Sequence, residues 1–331
     1  MSAGLAFLFP GQGAQFQGML AELISDEKVV SKTFDEASDV LGYDMKALVI
    51  DDADGKLDQT EFTQPALLTA STSLYRLWCE RGGAAASQMA GHSLGEYSAW
   101  VAAGAIAFAD AVSLVTFRGR AMTEAVAEGV GKMAAIIGLD DDVVSEICKN
   151  TSTGNENVWA ANFNCPGQLV IAGHAVAVEK AMEAAKEAGA KRTLPLAVSA
   201  PSHTPLMQSA ADAMREKLAG VSLFTPACPV WSNARAIPLI NPDDIRSALV
   251  EQLVSPVRWT ETIQKMAAEG ITLAVEMGPG KVLAGLTRRI EKSVNVSSVF
   301  TSELMDQAIV HVNNVELEAA GELKRQEKMH E

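Results

Sequence analysis

The spacing of apolar and polar residues along the chain predicts alternating strands and helices. The apolar N-terminal residues 1–10 predict a buried first strand, whose Phe7-Leu8-Phe9 ends at the turn-forming cluster Pro10-Gly11-Gln12-Gly13. Residues 60–80 place leucines on one side of a helix, and residues 109–128 read as a second helix. Strands and helices in alternation are typical of an α/β domain with a central, mostly parallel sheet. We expect a large domain of this class with a hydrolase-like architecture.

Residues 130–197 follow a different pattern. The predicted order is strand, helix, strand, strand, helix, strand, which is that of a ferredoxin-like α+β unit. These elements are expected at 133–137, 141–149, 158–163, 168–172, 175–188 and 191–196. We therefore predict that a small ferredoxin-like subdomain is inserted into a discontinuous large domain formed by residues 1–129 and 198–315.

The second part of the large domain is expected to contain further helices and strands before a charged tail. The helices are predicted at 205–218, 243–253 and 260–269, and the strands at 229–232 and 273–276. Residues 316–331 form a charged tail, and its helix-prone part at 316–328 is expected to be either a solvated terminal helix or a frayed tail.

Gly91-His92-Ser93-Leu94-Gly95 has the G-x-S-x-G pattern of a nucleophile elbow, in which a serine occupies a sharp turn between a strand and a helix. A short, mostly apolar stretch at 84–90 precedes it, and an alanine-rich stretch at 96–109, broken by Gly104, follows. Glycines flank the serine because a side chain there would clash as the chain reverses. The pattern predicts that Ser93 attacks an acyl carbonyl. The alternative is an ordinary helix start flanked by glycines.

A nucleophilic serine needs a base, and the chain has five histidines. His203 lies in a loop-forming stretch and is the best candidate by elimination, although it could equally be a surface loop histidine. His92 is the second choice, because neighbouring side chains on a tight turn generally point apart. His174 begins a predicted helix, and His311 and His330 lie near the C-terminus.

Composition narrows the range of partners. The chain has 331 residues, 48% of them hydrophobic, and a formal net charge of −14. Such a charge disfavours nucleic acid and anionic membranes as partners. The chain contains no run of eighteen apolar residues, so the sequence predicts no membrane span. The four cysteines are scattered, which favours free thiols in the cytoplasm. Phe16 replaces the third glycine of a dinucleotide-binding loop, and Lys281 lacks the Ser/Thr of a phosphate loop.

Several segments, in one order and at fitting spacing, closely resemble the malonyl-CoA:acyl carrier protein transacylases of bacterial type II fatty acid synthesis. They are residues 9–15 (FPGQGAQ), 91–97 (GHSLGEY), 118–122 (RGRAM), 162–168 (NFNCPGQ), 201–203 (PSH) and 252–259 (QLVSPVRW). The similarity extends from about residue 4 to residue 305. Cys165 departs from it, because serine is common at that position in the family.

The resemblance implies a role for each matching residue. Ser93 would carry the malonyl group as an ester, and His203 would act as its general base. A backbone carbonyl near Gln252 would orient the imidazole, and Gln252 would also border the acyl site. The backbone N–H groups of Gln12 and Leu94 would form the oxyanion hole.

Arg118 is expected to select the substrate. Malonyl differs from acetyl by a carboxylate, and a guanidinium can hold a carboxylate through two parallel hydrogen bonds. The alternative is a solvated helix arginine. Lys191, Arg192 and the pair Arg288-Arg289 are candidates for contacting coenzyme A or the carrier, because an acidic carrier needs a local positive patch on an acidic enzyme.

The resemblance implies a transient complex with phosphopantetheinylated acyl carrier protein, malonyl-CoA as the donor substrate, and no bound metal or redox cofactor. We expect a cytoplasmic monomer. Three alternatives remain open at this stage: an acyltransferase of a polyketide or malonate pathway, a serine esterase or thioesterase, and a binding protein without catalysis.

Overall fold

The computed structural model describes residues 4–198 and 200–315. Its strands and helices are, in chain order, β1 (Gly4–Phe9), α1 (Ala21–Asp26), α2 (Lys28–Leu41), α3 (Met45–Ile50), α4 (Thr60–Glu80), β2 (Gln88–Gly91), α5 (Gly95–Ala102), α6 (Phe108–Glu124), β3 (Gly131–Ile137), α7 (Asp141–Thr151), β4 (Val158–Cys165), β5 (Gln168–His174), α8 (Ala175–Glu187), β6 (Arg192–Pro195), α9 (Gln208–Ala219), β7 (Val230–Trp231), β8 (Pro238–Leu239), α10 (Pro242–Val254), α11 (Trp259–Ala268), β9 (Ile271–Glu276), α12 (Val282–Ile290) and β10 (Asn295–Ser298). A turn of 3₁₀-helix at Pro205–Met207 precedes α9, and residues 302–315 are helical.

A six-stranded sheet with the order β10-β9-β1-β2-β7-β8 forms the larger layer. Neighbouring strands of this sheet pair in parallel except for β7 and β8, which are antiparallel. The first strand, β1, is buried on both faces: Leu5, Phe7 and Phe9 join one apolar cluster, and Ala6 and Leu8 join another. This is why β1 is a continuous apolar run. The predicted mixed α/β architecture with a mostly parallel sheet is confirmed.

The smaller layer is a four-stranded antiparallel sheet with the order β4-β5-β3-β6. On one face, Ile136 and Ile171 pack in a cluster with residues of α7 and α8, such as Val144 and Val178. The other face carries a second apolar cluster, which consists of Met133, Val170 and three alanines. One face of this sheet therefore faces away from its own helices.

Backbone hydrogen bonds join the smaller sheet to the second half of the chain. Phe163 N–H donates to the Val257 carbonyl at 2.9 Å, and Val257 N–H donates to the Ala161 carbonyl at 2.8 Å. The residues after α10 are thereby tied to β4.

The elements around the elbow differ in length from those predicted. The strand expected at 84–90 is β2, which begins only at Gln88. The helix expected at 96–109 is α5, which ends at Ala102. It ends there because Gly104 follows in the left-handed conformation, with φ of 77°, a common helix C-terminus.

Several elements were not predicted from the sequence: α1, α2, α3, β8, α12, β10 and the helical residues 302–315. The helix predicted at 316–328, and the tail of residues 316–331, lie outside the described residues. Across 4–198 and 200–315, none of the helices combines the length and the apolar character needed to cross a bilayer.

Candidate active site

Three neighbouring parallel strands end at one edge of the larger sheet, and a site residue follows each of them. Phe9 of β1 pairs with Gly91 of β2, and Ala90 of β2 pairs with Trp231 of β7. Gln12, Ser93 and Asn233 therefore follow adjacent strands at their carboxyl ends. This edge is where open parallel sheets usually bind ligands.

Ser93 occupies the sharp turn between β2 and α5. Its φ is 50°, a left-handed conformation that a non-glycine residue adopts only when its surroundings enforce it. A Cβ atom on Gly91 would overlap the carbonyl of Gly95, and a Cβ on Gly95 would overlap the carbonyl of Phe9. The two glycines are thus required by close backbone contacts around the serine.

Ser93 and His203 are hydrogen-bonded, although 110 positions separate them in the sequence. The Ser93 Oγ lies 2.8 Å from His203 Nε2, and His203 Nδ1 lies 2.8 Å from the Gln252 backbone carbonyl. A carbonyl can only accept, so Nδ1 carries the proton and Nε2 is free to accept the proton of the serine hydroxyl. A backbone carbonyl thus takes the place of the acidic residue of a catalytic triad.

The surroundings of His203 keep its imidazole neutral. Burial lowers the pKa of His203 to about 3, and the nearby positive charge of Arg118 contributes in the same direction. A neutral imidazole can act as a base at physiological pH.

His92, the second candidate base, points elsewhere. Its Nε2 lies 2.8 Å from Asn164 Oδ1, and its ring packs edge-on against Trp259. Burial also lowers the pKa of His92. His203 is therefore the histidine that the structure places against Ser93.

Arg118 is buried beside the serine and is only 1% exposed. Its Nη1 donates to Gln64 Oε1 at 2.8 Å and its Nη2 to Gln252 Oε1 at 2.9 Å, while Nη2 lies 3.4 Å from Ser93 Oγ. The Tyr97 ring lies under the guanidinium, 5.5 Å away. A buried guanidinium bonded only to neutral groups is suited to receive an anion. The alternative of a solvated arginine is excluded.

Gln12 and Leu94 border the same cavity as Ser93. Within residues 4–198 and 200–315, neither backbone N–H donates a hydrogen bond to the protein. Gly11 lets the loop after β1 approach the elbow closely, since a Cβ atom at this position would overlap the His92 carbonyl. Two residues that line the cavity of Ser93 thus carry backbone amides that donate to no protein group among the described residues.

The cavity is small, about 90 Å³. Polar side chains line it together with apolar side chains, which include Met122 of α6 and Met133 of β3. The lining residues are Gln12, Gln64, His92, Ser93, Leu94, Arg118, Met122, Met133, Asn162, Leu196, Val198, Ser202 and His203.

Sequence reasoning missed three polar residues that surround the elbow. Asn233 bridges it, with Nδ2 donating to the Gly91 carbonyl and Oδ1 accepting from Ser93 N–H, each at 2.6 Å. Gln64 binds Arg118, and Glu96 is fully buried behind the serine. Glu96 follows the elbow directly and could have been found there. Nothing in the sequence indicates that Gln64 and Asn233 reach this site.

The basic residues proposed for coenzyme A or carrier contacts lie outside this cavity. Lys191 and Arg192 are exposed at the start of β6, whereas Leu196, just beyond its end, borders the cavity. Arg288 lines a separate surface cavity of about 830 Å³ together with Lys281 and Lys292.

Arg289, the second member of its basic pair, is held in place by the smaller sheet. It donates to Gln168 Oε1 at 2.6 Å and to the Pro166 carbonyl at 3.0 Å. As for metals, the described ranges contain no group of three or more His, Cys, Asp or Glu side chains arranged to bind one.

Comparison with known proteins assigns the chain to a family. Residues 6–327 match the acyl transferase domain family. The malonyl CoA-acyl carrier protein transacylase of Escherichia coli K12 is 52% identical over 304 residues, covering 92% of this chain and 98% of that protein. The protein of the same name from Bacillus subtilis is 44% identical over 305 residues, covering 92% and 96%.

Solved structures agree closely with this fold. The malonyl CoA-acyl carrier protein transacylase of Coxiella burnetii superimposes with a TM-score of 0.92 at 46% identity, covering 94% of this chain and 98% of that one. A malonyl-transacylase in complex with its holo type II PKS acyl-carrier protein gives a TM-score of 0.91 at 49% identity, covering 93% and 99%.

Proposed function

Since this chain belongs to the acyl transferase family that includes the malonyl-CoA:acyl carrier protein transacylases, we propose that Ser93 and His203 transfer malonyl from malonyl-CoA to acyl carrier protein. The acceptor is the phosphopantetheine thiol of the carrier, and the product supplies fatty acid elongation. The observation that carries this proposal is the 2.8 Å contact between Ser93 Oγ and His203 Nε2, within a cavity that also holds Arg118.

The first half of the reaction acylates the enzyme. His203 Nε2 takes the hydroxyl proton as Ser93 Oγ attacks the thioester carbonyl of malonyl-CoA. The N–H groups of Gln12 and Leu94 donate to the oxyanion that forms. Its collapse breaks the carbon–sulfur bond, and the coenzyme A thiolate leaves with the proton from His203. The product is a malonyl ester of Ser93.

The second half returns the enzyme to its starting state. The thiol of the carrier's phosphopantetheine gives its proton to His203, and the thiolate attacks the ester carbonyl. Ser93 Oγ then leaves and takes the proton back. His203 provides every proton transfer, so the proposal requires no bound metal or redox cofactor.

Arg118 would bind the free carboxylate of the malonyl group. Burying a carboxylate without a partner costs several kcal/mol, and a charged partner with two parallel donors offsets that cost. A neutral acyl group gains nothing from the guanidinium and leaves it unpaired. This difference supports a preference for malonyl over acetyl.

The architecture of the site supports two finer assignments. The order β3-α7-β4-β5-α8-β6, with the sheet order β4-β5-β3-β6, is that of a ferredoxin-like unit. We therefore assign residues 130–197 to such a subdomain, inserted between residues 1–129 and 198–315 of a hydrolase-like domain.

Ser93, Arg118 and His203 come from one chain, which supports a monomer as the active unit.

The test is intact-mass spectrometry after mixing the protein with malonyl-CoA. We expect one malonyl unit on the wild type and none on Ser93→Ala. Ser202→Ala removes a neighbouring hydroxyl in the same cavity and should still acquire the adduct. Malonylation of Ser93→Ala at the native level would refute the nucleophile assignment.

A polyketide carrier is the second candidate acceptor, because a relative of 49% identity is in complex with a type II PKS carrier. Transfer rates from the malonylated enzyme to holo carriers of both pathways distinguish the two. The same experiment without carrier tests for an esterase. An esterase would hydrolyse the malonyl ester without carrier as fast as malonyl is transferred when carrier is present.

A further inference from the structure

Glu96 is a fully buried carboxyl group that the proposed reaction does not use. It lies in the first turn of α5, behind Ser93, with 0% of its surface exposed. Its Oε2 accepts from Gln252 Nε2 at 2.8 Å and from the backbone N–H of Asn233 at 3.1 Å. Burying a carboxyl is unfavourable unless it is hydrogen-bonded. A buried carboxyl that takes no part in the reaction is therefore expected to have another role, and its two partners indicate which one.

Gln252 connects Glu96 to Ser93, Arg118 and His203. Its Nε2 also donates to the Ser93 carbonyl at 3.0 Å, and its Oε1 accepts from Arg118 Nη2 at 2.9 Å. Its backbone carbonyl accepts from His203 Nδ1. Gln252 therefore contacts the nucleophile and the guanidinium through its side chain, and the base through its backbone carbonyl.

The chemistry of the amide gives Glu96 a specific effect on Arg118. A glutamine amide has a donor end and an acceptor end, and Arg118 has donors only. Glu96 Oε2 accepts from the NH₂ end of Gln252 together with the Ser93 carbonyl, and the oxygen end therefore faces Arg118. With the amide turned over, two donors would meet and Nη2 of Arg118 would lose its acceptor.

Asn233 gives Glu96 a second connection, to the elbow itself. Asn233 joins the Gly91 carbonyl to the Ser93 N–H across the strained turn. Glu96 accepts a hydrogen bond from the backbone N–H of Asn233 and so positions the backbone from which the Asn233 side chain extends. Glu96 is thus bonded to the supports of both Ser93 and Arg118.

We propose that Glu96 is a positioning residue for malonyl selection, which holds the Gln252 amide so that its oxygen aligns the Arg118 guanidinium beside Ser93. The inference rests on the proposed function, because it assumes that Arg118 binds the malonyl carboxylate. It predicts an effect on the choice between malonyl and acetyl that a purely structural role would not have.

The experiment measures the rates at which malonyl-CoA and acetyl-CoA acylate the enzyme. Glu96→Ala leaves Gln252 and Asn233 each with a donor unpaired, and we expect the malonyl-to-acetyl ratio of kcat/KM to fall by about tenfold or more. The KM for malonyl-CoA should rise. Glu96→Gln keeps an oxygen that can accept both bonds, and it should restore the ratio to within about threefold of the wild type.

Glu276→Ala is the matched control. Glu276 is also 0% exposed, but it accepts from the N–H groups of Leu283 and Ala284 at the start of α12. Removing it should lower the melting temperature and leave the malonyl-to-acetyl ratio unchanged. If Glu96→Ala does not fold, Glu96→Asp withdraws the carboxylate by one methylene and should lower the ratio in the same direction.

The inference is overturned if the folded Glu96 variants keep the wild-type ratio, or if the rates with malonyl-CoA and acetyl-CoA fall by the same factor. It is also overturned if Glu96→Gln loses as much selectivity as Glu96→Ala. A failure of the proposed function is seen separately, in the wild type, as the lack of a malonyl adduct on Ser93 or of any preference for malonyl.

Discussion

Arg118 gives the most direct test of substrate choice. Arg118→Ala removes the only group beside Ser93 Oγ that we propose for the malonyl carboxylate, and leaves the oxygens of Gln64 and Gln252 without their donor. Losing one partner of a buried charge pair costs about 3–5 kcal/mol, so malonyl-CoA acylation should fall by at least about 100-fold. Acetyl-CoA acylation should fall far less. Single-turnover adduct formation measures both rates.

The control for that substitution lies two residues further along α6. Arg120 is also on α6, but its side chain is 60% exposed and pairs with Glu61. Arg120→Ala should keep the wild-type preference, because an exposed ion pair contributes little. An unchanged malonyl-to-acetyl ratio in Arg118→Ala would show that the arginine does not select the substrate.

His203 should give an unusual pH dependence. Its pKa is lowered to about 3, chiefly by burial, whereas a solvated histidine titrates near 6.5. The reaction of Ser93 with a neutral sulfonyl fluoride should therefore keep its rate from pH 8 down to about pH 5 and fall only closer to pH 3. Labelling rates followed by intact mass measure this. A fall centred near pH 6.5 would contradict the assignment.

The same pKa shift has a consequence for stability. Between pH 6.5 and about 3, the unfolded chain binds a proton at this histidine that the folded protein does not. The contribution of His203 to the free energy of unfolding is therefore present above pH 6.5 and is lost as the pH falls through this range.

The turn between β2 and α5 depends on backbone packing that tolerates no side chain. Gly95→Ala would place a Cβ against the Phe9 carbonyl of β1, so the strand, the elbow and the helix could not keep their positions. We expect a loss of more than about 3 kcal/mol of stability together with the loss of malonylation. Chemical denaturation and adduct formation measure the two effects.

A glycine inside α12 is the matched control. At Gly285 a Cβ atom would meet nothing within 4 Å. Gly285→Ala should stabilise the protein by about 0.5–1 kcal/mol, as alanine does in helices, and should leave malonylation unchanged. A tolerated Gly95→Ala would show that the elbow can relax.

The secondary structure elements differ in how far the sequence could predict them. The long helix α4 was found with its bounds, and the apolar β1 was found with its end at Phe9. The helices α1 and α3 have six residues each, too few for the helical period to repeat. In α2, Val30, Phe34 and Ala37 are buried at helical spacing, so this helix could have been predicted.

The charge distribution of the protein makes a prediction about carrier binding. The net charge is −14, and an acidic carrier would be repelled except at a local positive patch. Arg288, Lys281 and Lys292 surround one surface cavity and are candidates for such a patch. Arg288→Glu should raise the KM for the carrier at low salt several-fold and leave acylation by malonyl-CoA unchanged.

Lys149→Glu makes the same change of charge on α7, where the lysine side chain is 80% exposed. It should leave the KM for the carrier close to that of the wild type. Arg192→Glu tests the other basic pair in the same assay. If neither Arg288→Glu nor Arg192→Glu changes the KM for the carrier, both proposed contacts are wrong.

The sequence was sufficient for features that depend on neighbouring residues. The glycine-flanked Ser93, the buried first strand and each of the motifs that resemble the family lie in short segments. Steric clashes in a turn and the burial period of a strand are local properties, so the sequence alone shows them. The sequence motif identified Arg118, but nothing in the sequence predicted that its side chain is buried.

Tertiary structure decided which distant residues meet. His203 reaches Ser93 from 110 positions away, and Gln64, Asn233 and Gln252 reach the same site from three other elements. The parallel order of β1, β2 and β7 brings the carboxyl ends of strands far apart in sequence to one edge of the sheet. No local pattern encodes that convergence, because it results from how the whole chain packs.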